Sequence, residues 1–90
     1  MKKEKTSEKV DNGIGSNDKK NLILYNDDYH SFDYVIDALQ KVCKHPPEQA
    51  IQCTYLVHFK GKCEVKSGDF QFLSPMKEEL CTMGLDAVIL

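Results

Sequence analysis

Arginine and tryptophan are absent from this 90-residue chain, and proline and glycine are sparse at three and five residues. All twelve cationic residues are lysines, and they face fourteen acidic ones for a net charge of −2. A dedicated nucleic-acid binder normally carries a basic surplus with guanidinium forks, so that class is not expected here. No run of about 18 apolar residues occurs, so no membrane span is expected. The opening Met1-Lys2-Lys3-Glu4-Lys5 leads into no apolar segment and includes an acid. It therefore lacks the marks of a secretory or transit peptide, and the expected location is cytoplasmic.

C-x-x-C pairs are also missing. The four cysteines, Cys43, Cys53, Cys63 and Cys81, are spaced by 10, 10 and 18 residues, which is not the paired spacing of a structural zinc site. In a reducing compartment such residues are expected to be free thiols used as small buried hydrophobes. No metal and no cofactor is expected.

Composition changes at about residue 21. Residues 1–20 hold six Lys and four acids, with only Val10 and Ile14 as aliphatics beyond Met1. Such a segment cannot bury enough apolar surface to offset its ordering entropy, so residues 1–20 are expected to be a disordered tail. Residues 21–90 contain all the aromatics and all the cysteines, and form one domain that buries about 60% of its unfolded surface.

Within that domain, Asn21-Leu22-Ile23-Leu24-Tyr25 reads as a buried strand stopped by the polar triplet Asn26-Asp27-Asp28. Phe32, Val35, Ile36, Leu39, Val42 and Cys43 then form one stripe of a 3.6-residue period, with Ser31 as the N-cap. Pro46-Pro47 ends that helix and opens a second over Pro47–Phe59. The second helix has no wide polar face, which predicts that it is the most buried one. Gly61 ends the helix, and Lys62-Cys63-Glu64-Val65-Lys66 alternates as a half-exposed strand does. Ser74-Pro75 reads as the start of a third helix with Met76, Leu80 and Met83 inward and Gly84 at its end. Leu85–Leu90 closes the chain as a strand. The predicted class is α+β, a small three-stranded antiparallel sheet with three helices packed on one face, in the order β-α-α-β-α-β.

Few residues offer chemistry. Asn26-Asp27-Asp28 follows a buried strand at an edge where loops commonly carry function, yet such triplets more often satisfy their own backbone in an Asx turn. His58 lies between Val57 and Phe59, a setting where a histidine is more often a hydrogen-bonded core residue than a ligand. His30 and His45 fall at loop or cap positions and are expected to be solvated. No serine-hydrolase elbow, phosphate loop or zinc-protease motif is present, so no catalytic residue is assigned.

Read in order, the pieces become specific. Leu22-Ile23-Leu24-Tyr25-Asn26-Asp27-Asp28-Tyr29-His30-Ser31-Phe32 is followed by Tyr34-Val35-Ile36-Asp37-Ala38-Leu39. Then come Glu48-Gln49-Ala50 and Val57-His58-Phe59-Lys60-Gly61-Lys62-Cys63. This arrangement resembles the ClpS family, adaptors of the Clp ATP-dependent protease. The match covers about residues 21–68 well and the remainder loosely. The resemblance implies a binding protein rather than an enzyme. Its substrates would be proteins and peptides with a free N-terminal large hydrophobic residue (N-degrons), handed to an AAA+ Clp unfoldase, ClpA-like or another Clp ATPase. It further implies that Asn26, Asp28 and His58 bind the substrate α-amine. Tyr25, His30, Phe32, Val35, Thr54, Val57 and Leu85 would line the pocket for the first side chain. Many members carry Thr-Pro-Met where this chain has His30-Ser31-Phe32, and a methionine where it has Thr54. A monomer is expected, without nucleic-acid or membrane partners. The reading from another class is a non-catalytic structural interaction domain of similar α+β layout, such as a ribosomal stalk-like module, which would show no preference for free N-terminal peptides.

Overall fold

A computed structural model of the chain describes residues 18–90. The expected tail lies outside the described residues, apart from its last three positions, and Lys20 already belongs to the first strand. The elements are β1 (Lys20–Tyr25), α1 (Phe32–Val42), α2 (Pro47–Lys60), β2 (Lys62–Gly68), α3 (Phe70–Thr82) and β3 (Asp86–Ile89). The sheet has the order β2-β1-β3, and β1 is antiparallel to both neighbours. This is the predicted α+β arrangement.

The central strand alternates as its sequence requires. Leu22 and Leu24 are fully buried, with Cys63, Val65 and Ala87 from the flanking strands. Leu39 and Ala38 of α1, Ala50 and Val57 of α2, and Leu73 and Leu80 of α3 join the same core. Ser31 caps α1 as predicted, its hydroxyl accepting the Tyr34 N–H at 3.2 Å. Asn21 and Leu90 exchange both backbone hydrogen bonds, at 2.7 and 2.8 Å, which ties the last residue to the central strand.

Three expectations about the elements and their packing are corrected first. α3 begins at Phe70, not after Ser74: Asp69 is its N-cap and accepts the Phe72 N–H at 2.8 Å, which leaves Pro75 inside the helix. Proline in a helix interior normally costs about 3 kcal/mol. Here it lies in the second turn on an exposed face, while the turn before it is anchored by the fully buried Leu73.

The second correction concerns α2. Ala50, Cys53, Thr54 and Val57 are buried, but Ile51, Tyr55, Leu56 and Phe59 are exposed. An all-round apolar pattern does not require all-round burial. α2 packs on α1 and β2, and no described element covers its outer side.

The third is His45, which is 5% exposed rather than solvated. The β1–β2 register shifts between Leu22, opposite Lys66, and Ile23, opposite Glu64, so Val65 is the extra residue of a bulge. A bulge leaves its extra residue outside the ladder. The Val65 carbonyl instead accepts from His45 Nε2 at 2.6 Å, and Lys66 Nζ reaches the Cys43 carbonyl at 2.8 Å. The bulge thus fastens the α1–α2 junction to the sheet. The partner-free Nδ1 of His45 is buried beside it.

All four cysteines are free. Cys43, Cys53 and Cys63 are buried as expected, whereas Cys81 is exposed. Burial pushes the Cys43 thiol up to about 11. Burial, followed by its contact with Cys53, pushes Cys63 up to about 12. Among the described residues no cluster of three or more His, Cys, Asp or Glu could hold a metal ion, and no helix is long and apolar enough to cross a membrane.

Candidate functional site

A cavity opens where the end of β1, the start of α1, the second half of α2 and the residue before β3 converge. Its walls are Leu24, Tyr25, Asn26, Asp27, His30, Ser31, Phe32, Val35, Thr54, Val57, His58 and Leu85, and the space between them, open to solvent at the mouth, is about 310 Å³. All seven residues expected to form a pocket lie on this wall. Of the three expected amine ligands, Asn26 and His58 line it. Asp28 is exposed in the adjoining turn and is not part of the wall.

Backbone geometry brings Asn26 and His58 together. Gly61 sits in the left-handed region at φ 92° and caps α2, its N–H donating to the Val57 carbonyl at 3.0 Å. Its own carbonyl accepts the Asn26 N–H at 3.0 Å. The end of β1 is thereby fixed against the last turn of α2, which carries His58. His58 is exposed, with its ring edge-on to Phe32 at 5.2 Å and to Phe59 at 4.8 Å. The expectation of a hydrogen-bonded core histidine is not met.

The two aspartates divide the work of the turn. One oxygen of Asp27 accepts the N–H groups of Tyr29 and His30 at 2.8 and 3.0 Å. Its carboxylate also takes the His30 Nδ1–H at 3.0 to 3.1 Å. Asp27 is therefore the Asx-turn residue. Desolvation alone would raise its carboxyl, but the His30 side-chain bond and the two backbone N–H bonds outweigh it and hold the group below its ordinary value of 3.8. Asp28 makes no such bond among the described residues, which leaves its carboxylate open to solvent at the edge of the site.

His30, held by Asp27, stacks on Tyr34 at 4.7 Å and 22°. The Tyr34 hydroxyl donates to the Met83 carbonyl at 2.7 Å. Gly84 adopts φ 86°, and a Cβ there would lie 3.2 Å from His30 Nε2. These contacts lock the α3–β3 turn beside His30 and place the buried Leu85 on the cavity wall. On the opposite wall Thr54 is buried, with its hydroxyl donating to the Ala50 carbonyl at 2.7 Å. That back-bond uses the only Thr54 proton, so the hydroxyl can serve the cavity only as an acceptor.

Leu24, Asp27 and Ser31 line the cavity without having been expected there. Strand alternation already marked Leu24 as inward, and capping marked Ser31, but neither signal says that a cavity lies beside them.

The site combines an apolar hollow with a mouth that favours a cation. Asn26 Oδ1 and an unprotonated imidazole nitrogen can accept hydrogen bonds from an ammonium. The C-terminal end of α2 carries the negative end of its helix dipole, and Asp28 adds a nearby carboxylate. A ligand with one positive donor group beside a compact apolar side chain fits these features.

The fold is a small α+β domain with one hollow at the end of its sheet. The model of the family described as ATP-dependent Clp protease adaptor protein ClpS matches residues 16–87, and the chain belongs to this family. It is 46% identical over 41 residues to the Clp protease adapter ClpS of Salmonella gallinarum, covering 46% of this chain and 39% of that protein. The Pectobacterium carotovorum ClpS is 43% identical over 51 residues, covering 54% and 48%. An Escherichia coli ClpS is 40% identical over 55 residues, covering 61% and 52%. The chain thus spans about half the length, or less, of these relatives. Among solved structures, Agrobacterium tumefaciens ClpS2 bound to L-phenylalaninamide superposes with a TM-score of 0.76 at 18% identity. That superposition covers 80% of this chain and 94% of that one, and it establishes the shared fold.

Proposed function

We propose that this protein is a non-catalytic adaptor that binds the free N-terminus of proteins beginning with a large hydrophobic residue and delivers them to a Clp AAA+ unfoldase. The observation that carries the reading is the position of Asn26 and His58 at a cavity that also presents Phe32, Val35, Val57 and Leu85 on its wall. In this reading Asn26, His58 and the carboxylate of Asp28 share the three donors of an α-ammonium. The first side chain enters between Phe32, Val35, Thr54, Val57 and Leu85. L-phenylalaninamide, the ligand of the A. tumefaciens relative, has this combination of an α-amine and one bulky apolar group.

Magnitudes support useful affinity. Charge-assisted hydrogen bonds contribute about 1.5–3 kcal/mol each, and burying a Leu or Phe side chain about 1.5–3 kcal/mol. After association costs, low-micromolar binding or better results. The protein acts as a monomer in the cytoplasm, and a ClpA-like ATPase is its partner.

The test is fluorescence anisotropy with peptides that differ only in the first residue, each with a free and an acetylated N-terminus. Acetylation removes the charge and two donors, so affinity falls at least tenfold, and Asp28→Ala or His58→Ala weakens binding of the free peptide. Equal binding of free and acetylated peptides overturns the reading in favour of a structural interaction domain.

A further inference from the structure

The exposed side of α2 is not featureless. Tyr55 and Phe59, one helical turn apart, are 50% and 68% exposed, and their rings stack at 5.5 Å and 17°. Ile51, 42% exposed, extends the same row by another turn. The row is continuous with the cavity rim. Tyr55 meets Phe32 edge-on at 5.0 Å, Phe59 meets His58 at 4.8 Å, and both Phe32 and His58 line the cavity. The other lip of the mouth is the turn of Asn26, Asp27 and Asp28, which is polar and charged.

From this geometry we infer that the Tyr55–Phe59 stack is a second subsite, and that it receives an apolar side chain at the third position of the bound N-terminal peptide. The inference rests on the proposed reading of the cavity. With the ammonium held at Asn26 and His58 and the first side chain inside, the rest of the peptide must leave across one lip. Among the described residues the α2 lip carries a row of three exposed apolar side chains, whereas the turn opposite offers the single exposed ring of Tyr29 beside its charges. In an extended chain successive side chains point to opposite sides, at about 3.3 Å per residue. The second side chain therefore points to solvent. The third returns to the protein about 7 Å further on, comparable to the 6.5 Å between the rings of Phe32, on the cavity wall, and Phe59, outside it. Edge-to-face and offset contacts with two exposed rings suit Leu, Met or an aromatic residue there.

The experiment uses peptides with Phe first and a free amine, varied separately at the second and third positions among Leu, Phe, Ala and Ser. Binding to the full chain and to a Tyr55→Ser, Phe59→Ser variant is measured by anisotropy. Leu or Phe at the third position binds about fivefold tighter than Ala or Ser, the second position has little effect, and the third-position ratio collapses towards one in the variant. The inference is overturned if the third position is indifferent while Phe-first peptides still bind, a result that leaves the first-residue reading standing. It is equally overturned by a preference at the second position only, or by one that survives both substitutions. Loss of binding to every free-amine peptide overturns both readings together. Sedimentation in the absence of peptide supplies the remaining outcome: a dimer abolished by the same two substitutions assigns the row to a second copy of the chain and overturns the subsite.

Discussion

Asn26 and Gly61 are joined by a 3.0 Å hydrogen bond from the Asn26 N–H to the Gly61 carbonyl, across 35 positions of sequence. That bond sets the polar turn after β1 against the C-terminal end of α2, and so places Asn26 and His58 at one mouth. The left-handed Gly61 is what allows α2 to stop there and its carbonyl to turn towards β1.

Replacing Gly61 with alanine tests the dependence on that conformation. A Cβ at Gly61 would meet nothing within 4 Å, so the penalty is strain at φ 92° rather than a clash. The expected loss is about 1 kcal/mol. For a domain of this size, thermal denaturation should show a melting temperature lower by about 4–8 °C.

Asp27 and Asp28 are adjacent and should behave oppositely. Asp27→Ala frees two backbone N–H groups and His30, and is expected to lower stability at pH 7 by about 1 kcal/mol. Asp28→Ala should leave stability nearly unchanged. Because the folded Asp27 carboxyl lies below its ordinary 3.8, its contribution is fully present above that value and is lost as pH falls through the depressed one. Urea unfolding from pH 7 down to 2 should show the two curves, wild type and Asp27→Ala, converging only at the acidic end.

First-residue preference is expected to follow Phe32 and Thr54. A phenyl ring at the rim is stiffer than a methionine, and Thr54 occupies less space than a methionine would. Peptides beginning with Phe, Tyr or Trp should bind more tightly than those beginning with Leu, and Ile and Val weakly. Thr54→Met should move the balance towards Leu by about 1 kcal/mol, the scale of a methylene or two in a pocket. A panel in which Leu binds tightest, or in which the ranking ignores Thr54→Met, would show that these positions do not set the preference.

Thiol labelling separates the cysteines. Cys43 and Cys63, pushed up by burial to about 11 and about 12, should be almost wholly protonated at pH 8 and inert. Cys53 is shielded by burial. A disulfide reagent should find one fast equivalent, at Cys81, and three more only at the rate of opening or in denaturant. Two or more fast equivalents would contradict the packing of β2 on α2.

Much of this protein was determined by short-range sequence. The stripe from Phe32 to Cys43, the Ser31 cap, the alternation of Leu22 and Leu24 and the stop at Gly61 are each decided within a turn or two of chain. The order and class of the elements followed from them. Nine of the twelve residues of the cavity wall were legible through the family resemblance, although they stand far apart in sequence.

Tertiary structure decided the rest. Ser74-Pro75 has the local form of a helix start, but burial of Leu73 outweighed it and carried α3 back to Asp69. Periodicity in α2 could not tell which apolar residues would be covered, because that depends on where α1 and β2 sit, and they left Ile51, Tyr55 and Phe59 outside. His45 became a core residue because a bulge at Val65 presented it with a carbonyl. Adjacent aspartates of equal propensity took separate roles because only Asp27 could reach the N–H groups of Tyr29 and His30. Each of these outcomes is a long-range or geometric choice among locally equivalent options, and burial and hydrogen-bond satisfaction made the choice once the helices had met the sheet.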